Sequence, residues 1–426
     1  IKKEAKWGDG TPVTGKDVKL SWEIGSDPAV STPEKETYQK IESITVDEKD
    51  PKKFTMVFKK ARYDYYQLGT FVVLPSHLEA DVYKKTKGQT GTYEKQTKYN
   101  TDSLNPGLYN GPYLVKEIKL GSHVIVERNP QYYGNQPAIE RIIIKLIPNT
   151  QTLEANLLSG TIDMISELGM TFDQALAFEK RAKRDPKIKG NFEVRFEDSM
   201  IYEHIDLNLR NPVLSDVKVR QALSYSIDRD KLTKALFEGR QKPALSMIHP
   251  RDVYYTEDVQ KYPYDPKKAA ALLDEAGWKL KNGSREKDGK KLEFTLMTTA
   301  QNKTRELVQV FLQQEWKKAG IKINIQNEPA RVFFGETVRK AKYTGMAMYA
   351  WISSPDNPPR STLSSKEIPT SANGYSGQNS GGWRSSIADN VFENIYTEFD
   401  LAKRKEMMTK LQQAYTTEVP VLPLYW

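Results

Sequence analysis

LEFTLMTTAQNKTRELVQVFLQQEWKKAGIKINI, residues 292–325, is the stretch that decides the fold class. It begins with a strand-like run at 292–296 and continues over 304–319 with apolar residues at helical spacing, after which Gly320 ends the helix. Residues 321–325 then alternate apolar with polar side chains, as a second strand does. A strand, a helix and a strand in this order form a β–α–β unit, so we predict an α/β domain.

Strands and helices also alternate on either side of this unit. Asp265 and Pro266 predict a helix start, because Asp caps the first N–H groups and Pro loses no useful donor there. Thr14 and Asp17 predict another helix start, with a hydroxyl and a carboxylate at capping positions. Further predicted elements are helices at 172–184, from Ser215 and at 401–415, and strands at 54–58, 113–118, 123–127, 139–147 (buried on both faces), 162–165, 192–196 and 346–352.

Length, charge and cysteine content limit the class of protein. A chain of 426 residues exceeds one compact core, so we expect two or three domains. Its 64 Lys and Arg against 55 Asp and Glu give a net charge of +9, spread along the chain, which favours a solvated surface over a nucleic-acid patch. No apolar run reaches the roughly 20 residues of a membrane span. The absence of cysteine fits an oxidising compartment and excludes thiolate chemistry.

The sequence contains no complete motif for catalysis or for cofactor binding. Gly10, Gly15 and Lys16 have the spacing of a phosphate-binding loop, but Asp17 stands where Ser or Thr would hold magnesium, and Pro12 removes a backbone donor. The four histidines (His77, His123, His204 and His249) lack zinc-ligand spacing, and no Gly-x-Ser-x-Gly motif occurs. We therefore predict a protein that is not an enzyme and holds no cofactor and no metal. A hydrolase using an unassigned pair of carboxylates stays an alternative.

Aromatic residues in a polar segment point to recognition instead. Tyr349, Trp351 and Trp383 lie in or near the Ser-, Gly-, Pro- and Asn-rich stretch 353–386, where they can pack on a ligand that Ser353 and Ser354 orient. Trp351 has a second interpretation, because it also closes the predicted strand 346–352 and can belong to the core. Periodicity alone leaves both interpretations open.

Five sequence blocks in one order resemble a known family. They are WGDGTPVTGKDV (7–18), NGPY (110–113) with ERNPQYY (127–133), SDVKVRQAL (215–223) with IDR (227–229), YDPKKA (264–269) with AGW (276–278), and PVLPLYW (420–426). With these five blocks the chain resembles the extracellular solute-binding proteins of family 5, the oligopeptide- and dipeptide-binding components of ABC importers.

The resemblance implies an α/β fold of the periplasmic-binding-protein type II, a clamp of two lobes with an additional domain. Residues 1–103 would form the additional domain, 104–203 lobe I, and 204–426 lobe II with a C-terminal return towards lobe I. Family members usually have more residues before the first block and after the last, so we expect a chain shortened at both ends, and with it an open sheet edge in the first lobe.

The resemblance also implies a function. The protein would capture a ligand, a peptide by analogy, between its lobes and deliver it to the permease of a membrane ABC importer, as a monomer that is periplasmic or anchored as an outer-face lipoprotein. Alternatives are a metal chelate, an oligosaccharide or an opine as ligand, a secreted hydrolase, and a chaperone-like binder. The predicted ligand contacts are Tyr202, Glu203, His204, Asp206, Tyr349, Trp351, Ser353, Ser354, Asp356 and Trp383.

One departure from the family bears on ligand choice. Peptide-binding members carry a Trp-x-x-Asp stretch whose carboxylate pairs with the peptide's ammonium, whereas Trp351 is followed here by Ser354 at that place. A hydroxyl accepts from an ammonium but does not neutralise its charge, and an unpaired buried charge is costly. Asp356, Asp206 or Glu203 would have to compensate. Otherwise the ligand would be an N-blocked peptide or no peptide.

Overall fold

The computed structural model describes residues 1–32, 35–166, 169–355 and 357–426. They form two compact units, Ile1–Pro148 and Asn149–Trp426. The domain borders expected after residues 103 and 203 stay a prediction.

The first unit packs short helices against a two-stranded sheet and carries a separate three-stranded sheet. Thr14 and Asp17 start its first helix as predicted, because the backbone N–H of Thr14 donates to Asp17 Oδ2 at 2.6 Å. Its helices and strands are α1 (Gly15–Ser26), α2 (Glu36–Gln39), β1 (Ile41–Val46), β2 (Phe54–Phe58), α3 (Ser76–Thr86), α4 (Tyr93–Gln96), α5 (Lys98–Thr101), β3 (Tyr113–Lys119), β4 (His123–Arg128) and β5 (Arg141–Lys145).

The prediction that the isoleucine-rich strand at 139–147 is buried on both faces is wrong. The strand exists as β5, but it is not buried on both faces, because Ile143 and Ile144 are 50% and 56% exposed. Within the described residues β5 pairs only with β4, at the edge of the sheet β3-β4-β5. β-Branched residues favour extended backbone whether or not a second layer covers them, so their number predicted the strand but not its burial.

The second unit is built on a larger sheet. Its helices and strands are α6 (Thr150–Leu158), α7 (Phe172–Arg184), β6 (Ile201–Leu207), α8 (Val217–Tyr225), α9 (Arg229–Phe237), α10 (Pro266–Glu275), β7 (Lys279–Lys281), β8 (Ser284–Lys287), β9 (Lys290–Lys291), β10 (Glu293–Thr299), α11 (Lys303–Lys318), β11 (Lys322–Glu328), α12 (Ala330–Val332), β12 (Met346–Ile352), α13 (Arg360–Leu363), α14 (Ser386–Asn394), α15 (Leu401–Glu418) and β13 (Val421–Tyr425). A π-helical turn, Phe333–Val338, follows α12.

Five strands of the described chain form this sheet in the order β11-β10-β12-β6-β13. β10 pairs in parallel with β11 and with β12, which confirms the β–α–β unit. β6 runs antiparallel to β12 and to β13, so β13 points in the same direction as β10, β11 and β12. The carboxyl ends of four strands therefore meet at one edge of the sheet.

Both faces of the sheet are covered. One face carries Ile205, Leu296 and Met348 into a core with Trp316 of α11, whose indole N–H donates to the carbonyl of Leu223 at 3.1 Å. The opposite face carries Met297, Ala347 and Tyr349 against Phe333 and Tyr343. The alternation of side chains along each strand thus separates an apolar helix-covered face from a face rich in aromatic rings.

Two predicted strands are wrong. Residues 162–165 and 192–196 belong to no strand of the described chain. In the second segment the aromatic residues pack on a helix instead: the ring of Phe192 lies 5.5 Å from Phe178, and the ring of Phe196 lies 5.1 Å from Phe172, both on α7. A short alternation of apolar and polar residues predicts which side chains are buried. It does not show that a neighbouring strand is present to form the backbone hydrogen bonds of a sheet.

Candidate functional site in the second unit

The carboxyl edge of the five-stranded sheet is the candidate site. In open α/β sheets ligands bind in the crevice outside the carboxyl ends of the strands. Thr299 ends β10, Ile352 ends β12, and Trp426 follows β13 at this edge, while Ile201 begins the antiparallel β6 there. Ile352 is 68% exposed, so the edge is open to solvent.

Three aromatic residues cluster at this edge, of which Tyr202 is only 6% exposed. Tyr202 and Trp351 are direct cross-strand partners on β6 and β12. The ring of Trp426 lies 5.3 Å from that of Tyr202 and 4.6 Å from the ring of His249. Trp351 and Trp426 are both half-buried, and Trp351 also packs against Tyr349 at 5.9 Å. The two interpretations of Trp351 are therefore compatible, because one part of the ring closes the core cluster and the rest remains accessible.

Behind these rings lies a buried polar cluster made by His204, Asp206 and Tyr349. The hydroxyl of Tyr349 donates to Asp206 Oδ2 at 2.6 Å, and burial, followed by the charge of Asp206, raises the pKa of Tyr349 far above its usual range. His204 is fully buried, with Nε2 3.4 Å from Asp206 Oδ1 and its ring stacked on Tyr202. Neither ring nitrogen of His204 has a hydrogen-bond partner among the described residues. This cluster supports the aromatic edge from beneath.

Glu203 points to the opposite face and is neutralised there. Arg305, in the first turn of α11, donates from Nε to Oε1 at 2.7 Å and from Nη2 to Oε2 at 3.2 Å. Its third bond runs from Nη1 to the hydroxyl of Thr299 at 3.1 Å. Burial alone would lower the pKa of Arg305, but the charge of Glu203 and its hydrogen bonds raise it. The bidentate pair thus ties β6, the end of β10 and α11 together at the edge.

The segment after β12 contains the serines. Ser353 continues the pairing, since its backbone N–H donates to the carbonyl of Met200 at 2.8 Å, and Ser354 is exposed. Asp356 lies outside the described residues. Trp383 is 3% exposed and donates its indole N–H to Glu418 Oε2 at 2.7 Å. The ring contacts of the described chain bring Trp383 to Tyr415 of α15 rather than to Trp351.

Sequence reasoning missed Arg305, Thr299, Trp426 and His249. A signal was available for the first two, because both flank the carboxyl end of a strand in a β–α–β unit, which is where such sheets bind ligands. His249 and Trp426 are far apart in sequence, and only the folded structure shows that their rings are in contact. No cluster of three or more His, Asp or Glu residues suited to a metal ion occurs in the part of the chain that the structure describes.

The chain belongs to the bacterial extracellular solute-binding proteins, family 5, whose middle region matches residues 1–369. The family consists of solute-binding proteins and not of enzymes, and it implies an extracytoplasmic location. The oligopeptide-binding protein AppA of Bacillus subtilis is 28% identical over 334 residues, which cover 76% of this chain and 57% of AppA. The chain thus spans little more than half the length of this relative.

Solved structures show the same fold. The oligopeptide-binding protein of Thermus thermophilus, complexed with a pentapeptide, has a TM-score of 0.84 and 29% identity, over 100% of this chain and 77% of that one. NikZ of Campylobacter jejuni, in complex with Ni(L-His), has a TM-score of 0.85 and 26% identity, over 100% and 80%. The chain therefore has the α/β fold of type II periplasmic binding proteins. None of its described helices combines the length and apolarity of a membrane span.

Proposed function

We propose that this protein captures a peptide at the carboxyl edge of its five-stranded sheet and delivers it intact to an ABC importer. Family membership and the peptide-bound relative support the class of function. The observation that carries the assignment of the site is the wall of Tyr202, Trp351 and Trp426 at the edge where α/β sheets bind ligands. Flat aromatic rings contribute contact area to side chains of many kinds, which suits a binder of varied peptides.

The charges beside this wall bear on how a peptide is held. Both oxygens of Glu203 accept from Arg305, and Asp206 accepts from Tyr349 beneath the rings. Arg305 thus neutralises Glu203, and Asp206 is only 7% exposed, so we infer that neither carboxylate is offered to a peptide ammonium. We assign the role of countercharge to Asp356, which follows exposed Ser354 and Pro355 in sequence. The remaining predicted contacts, Ser353, Ser354, His204, Tyr349 and Trp383, stay part of the proposal as orienting or supporting residues.

A metal chelate is the second candidate ligand. NikZ, which shares the fold at 26% identity, was solved with Ni(L-His). The histidine of such a chelate has an imidazole ring, which the same aromatic rings would contact. Because Ser354 removes the carboxylate expected of peptide binders, the two ligand classes have to be compared directly in one experiment.

Mass spectrometry of the small molecules released by denaturing the purified protein tests both candidates. We expect peptides with masses unchanged by incubation with the protein, and micromolar or tighter binding of those peptides by titration calorimetry. Tight binding of Ni(L-His) with no peptide released would replace the peptide by the chelate. A chemically altered ligand would reject the function. Within the extracytoplasmic space we place the protein in the periplasm or on the outer face of the membrane as a lipoprotein, which fractionation of the producing cells distinguishes.

A further inference from the structure

The carboxyl edge of the five-stranded sheet has an aromatic half and a polar half. The rings of the candidate site lie on β6, on β12 and directly after β13. The other two strands, β10 and β11, end in Thr299 and Glu328, which are direct cross-strand partners. β11 and β12 are two inter-strand spacings apart, about 10 Å, which about three residues of an extended peptide span. A short peptide that contacts the rings is therefore long enough to reach Glu328.

Glu328 lies on the same face of the sheet as these rings. Met297 of β10 packs with Tyr349 in one core cluster, and it pairs in register with Gln326 of β11. Because side chains alternate between the two faces of a strand, Glu328, two residues after Gln326, lies on this face as well. Trp351, two residues after Tyr349, lies on it for the same reason. Glu328 and Trp351 thus share both the edge and the face of the sheet.

The carboxylate of Glu328 has one oxygen that the fold uses and one that it does not. The hydroxyl of Thr337, in the π-helical turn, donates to Glu328 Oε2 at 2.6 Å. Oε1 bonds to no described residue and is not shielded from solvent. None of the ion pairs among the described residues includes Glu328, whereas Glu203 at the same edge is paired with Arg305. A half-buried carboxylate without a cationic partner is therefore present beside the rings.

The same π-helical turn carries an exposed aromatic ring. Phe334 is 43% exposed, and its ring lies 5.9 Å from that of Tyr349. Lysine and arginine combine an apolar stem with a cationic head, so a ring and a carboxylate at one place offer a contact to each part of such a side chain. A neutral side chain gains only the contact with the ring, and an acidic one is repelled by the carboxylate.

We propose that Glu328 binds a basic side chain of the peptide, so that the protein prefers peptides containing lysine or arginine. This inference rests on the proposed function, because it concerns the same site. The cationic head forms a charge-assisted hydrogen bond to Glu328 Oε1, and the stem packs on Phe334. The neighbouring residues of the peptide lie against the aromatic half of the edge. This role is separate from the one assigned to Asp356, which concerns the amino terminus of the peptide.

Titration calorimetry with two series of alanine hexapeptides tests the proposal on the full chain. One series carries a single lysine at each position in turn, and the other carries methionine, which is apolar and of similar length, at the same positions. We expect the lysine peptide to bind at least about fivefold more tightly than its methionine counterpart at one position or at two neighbouring positions. In Glu328→Gln, which keeps an acceptor for the hydroxyl of Thr337, this ratio of affinities should fall to about one.

The matched control is Glu293→Gln. Glu293 is an exposed carboxylate at the amino end of the neighbouring strand β10, on the opposite edge of the sheet, so the ratio should stay as in the parent protein. A gain at one position distinguishes a direct contact from a general attraction of positive charge, which would favour lysine equally at all six positions.

The outcomes separate this proposal from the proposed function. A ratio near one at every position in the parent protein, an equal gain at all positions, or an undiminished preference in Glu328→Gln would overturn the role of Glu328. The methionine peptides would still bind in these cases, and the capture of peptides would stand. Failure of both series to bind the parent protein would overturn the proposed function and this proposal with it.

Discussion

Arg305 binds both carboxylate oxygens of Glu203, a residue 102 positions earlier in the chain, with its Nε and Nη2 at 2.7 and 3.2 Å. The side chains of the pair are 15% and 10% exposed. This pair holds the start of β6 against α11 at the edge where the peptide is proposed to bind. Its geometry makes the edge rigid before any ligand arrives, which lowers the entropic cost of binding.

The first prediction concerns this ion pair. Arg305→Met should lower the free energy of unfolding by about 3 kcal/mol, because it leaves the charge of Glu203 buried without a partner. The double variant Glu203→Gln with Arg305→Met should recover most of that loss, since both charges are then gone. Urea denaturation measures both. Arg195→Met is the control, because Arg195 and Glu193 form an exposed pair whose loss should not change the denaturation midpoint.

The second prediction separates the two interpretations of Trp351. Trp351→Ala should abolish measurable peptide binding but lower the free energy of unfolding by less than about 2 kcal/mol, because only part of the ring is buried. Trp316→Ala provides the comparison. Its ring is fully buried, so its loss should cost about 3–5 kcal/mol. A loss of stability in Trp351→Ala as large as that in Trp316→Ala, with peptide binding retained, would assign Trp351 to the core alone.

Local signals in the sequence predicted the four longest helices of the second unit, α7, α10, α11 and α15, and the strands β10, β11 and β12. The helix at 172–184 and the strand at 346–352 agree residue by residue with α7 and β12. In the structure a capping box of Thr171 and Gln174 fixes the start of α7. Such signals involve residues that are close in sequence, so they can be recognised without knowledge of the fold.

Features that depend on distant partners were not predictable in this way. Nothing around Arg305 indicates that its partner is Glu203, and the burial of Ile143 depends on whether a second layer covers β5. The aromatic cluster at the candidate site was foreseeable only in part, for the same reason. Trp351 lies in the strand that was predicted at 346–352, whereas the strand of Tyr202, β6, was not predicted. The contact of Trp426 with Tyr202 and His249 requires β13 to pair with β6.

The third prediction concerns Ser354. Ser354→Asp places a carboxylate at an exposed position after Trp351, where an ion pair gains up to about 1 kcal/mol. The affinity for a peptide with a free amino terminus should therefore rise up to about fivefold, and the gain should fade in high salt. The amino-acetylated form of the same peptide should bind equally to both proteins. Ser354→Asn is the neutral control, and a gain of similar size in that variant would reject the electrostatic explanation.

The last prediction follows from the acid at the turn behind the site. Hydrogen bonds from Lys340 and Lys342 lower the pKa of Glu336 to about 2. A lowered pKa means that the folded state binds the proton less readily than the unfolded state. Glu336 therefore stabilises the fold at pH values above its ordinary pKa, and this contribution is lost as the pH falls towards 2.

The position of Glu336 links this loss to the aromatic cluster. It belongs to the π-helical turn Phe333–Val338, whose Phe333 and Phe334 contact the ring of Tyr349 at 6.1 and 5.9 Å. Glu336→Gln should flatten the acid limb of the stability profile below pH 4.5, measured as melting temperature against pH. Lys340→Met with Lys342→Met should flatten it in the same way. Because the side chain of Glu336 is 47% exposed and its charge is therefore screened by salt, 1 M NaCl should remove most of the difference between the parent protein and Glu336→Gln. An acid limb that is equally steep in all three proteins at low salt would show that these charges do not stabilise the turn.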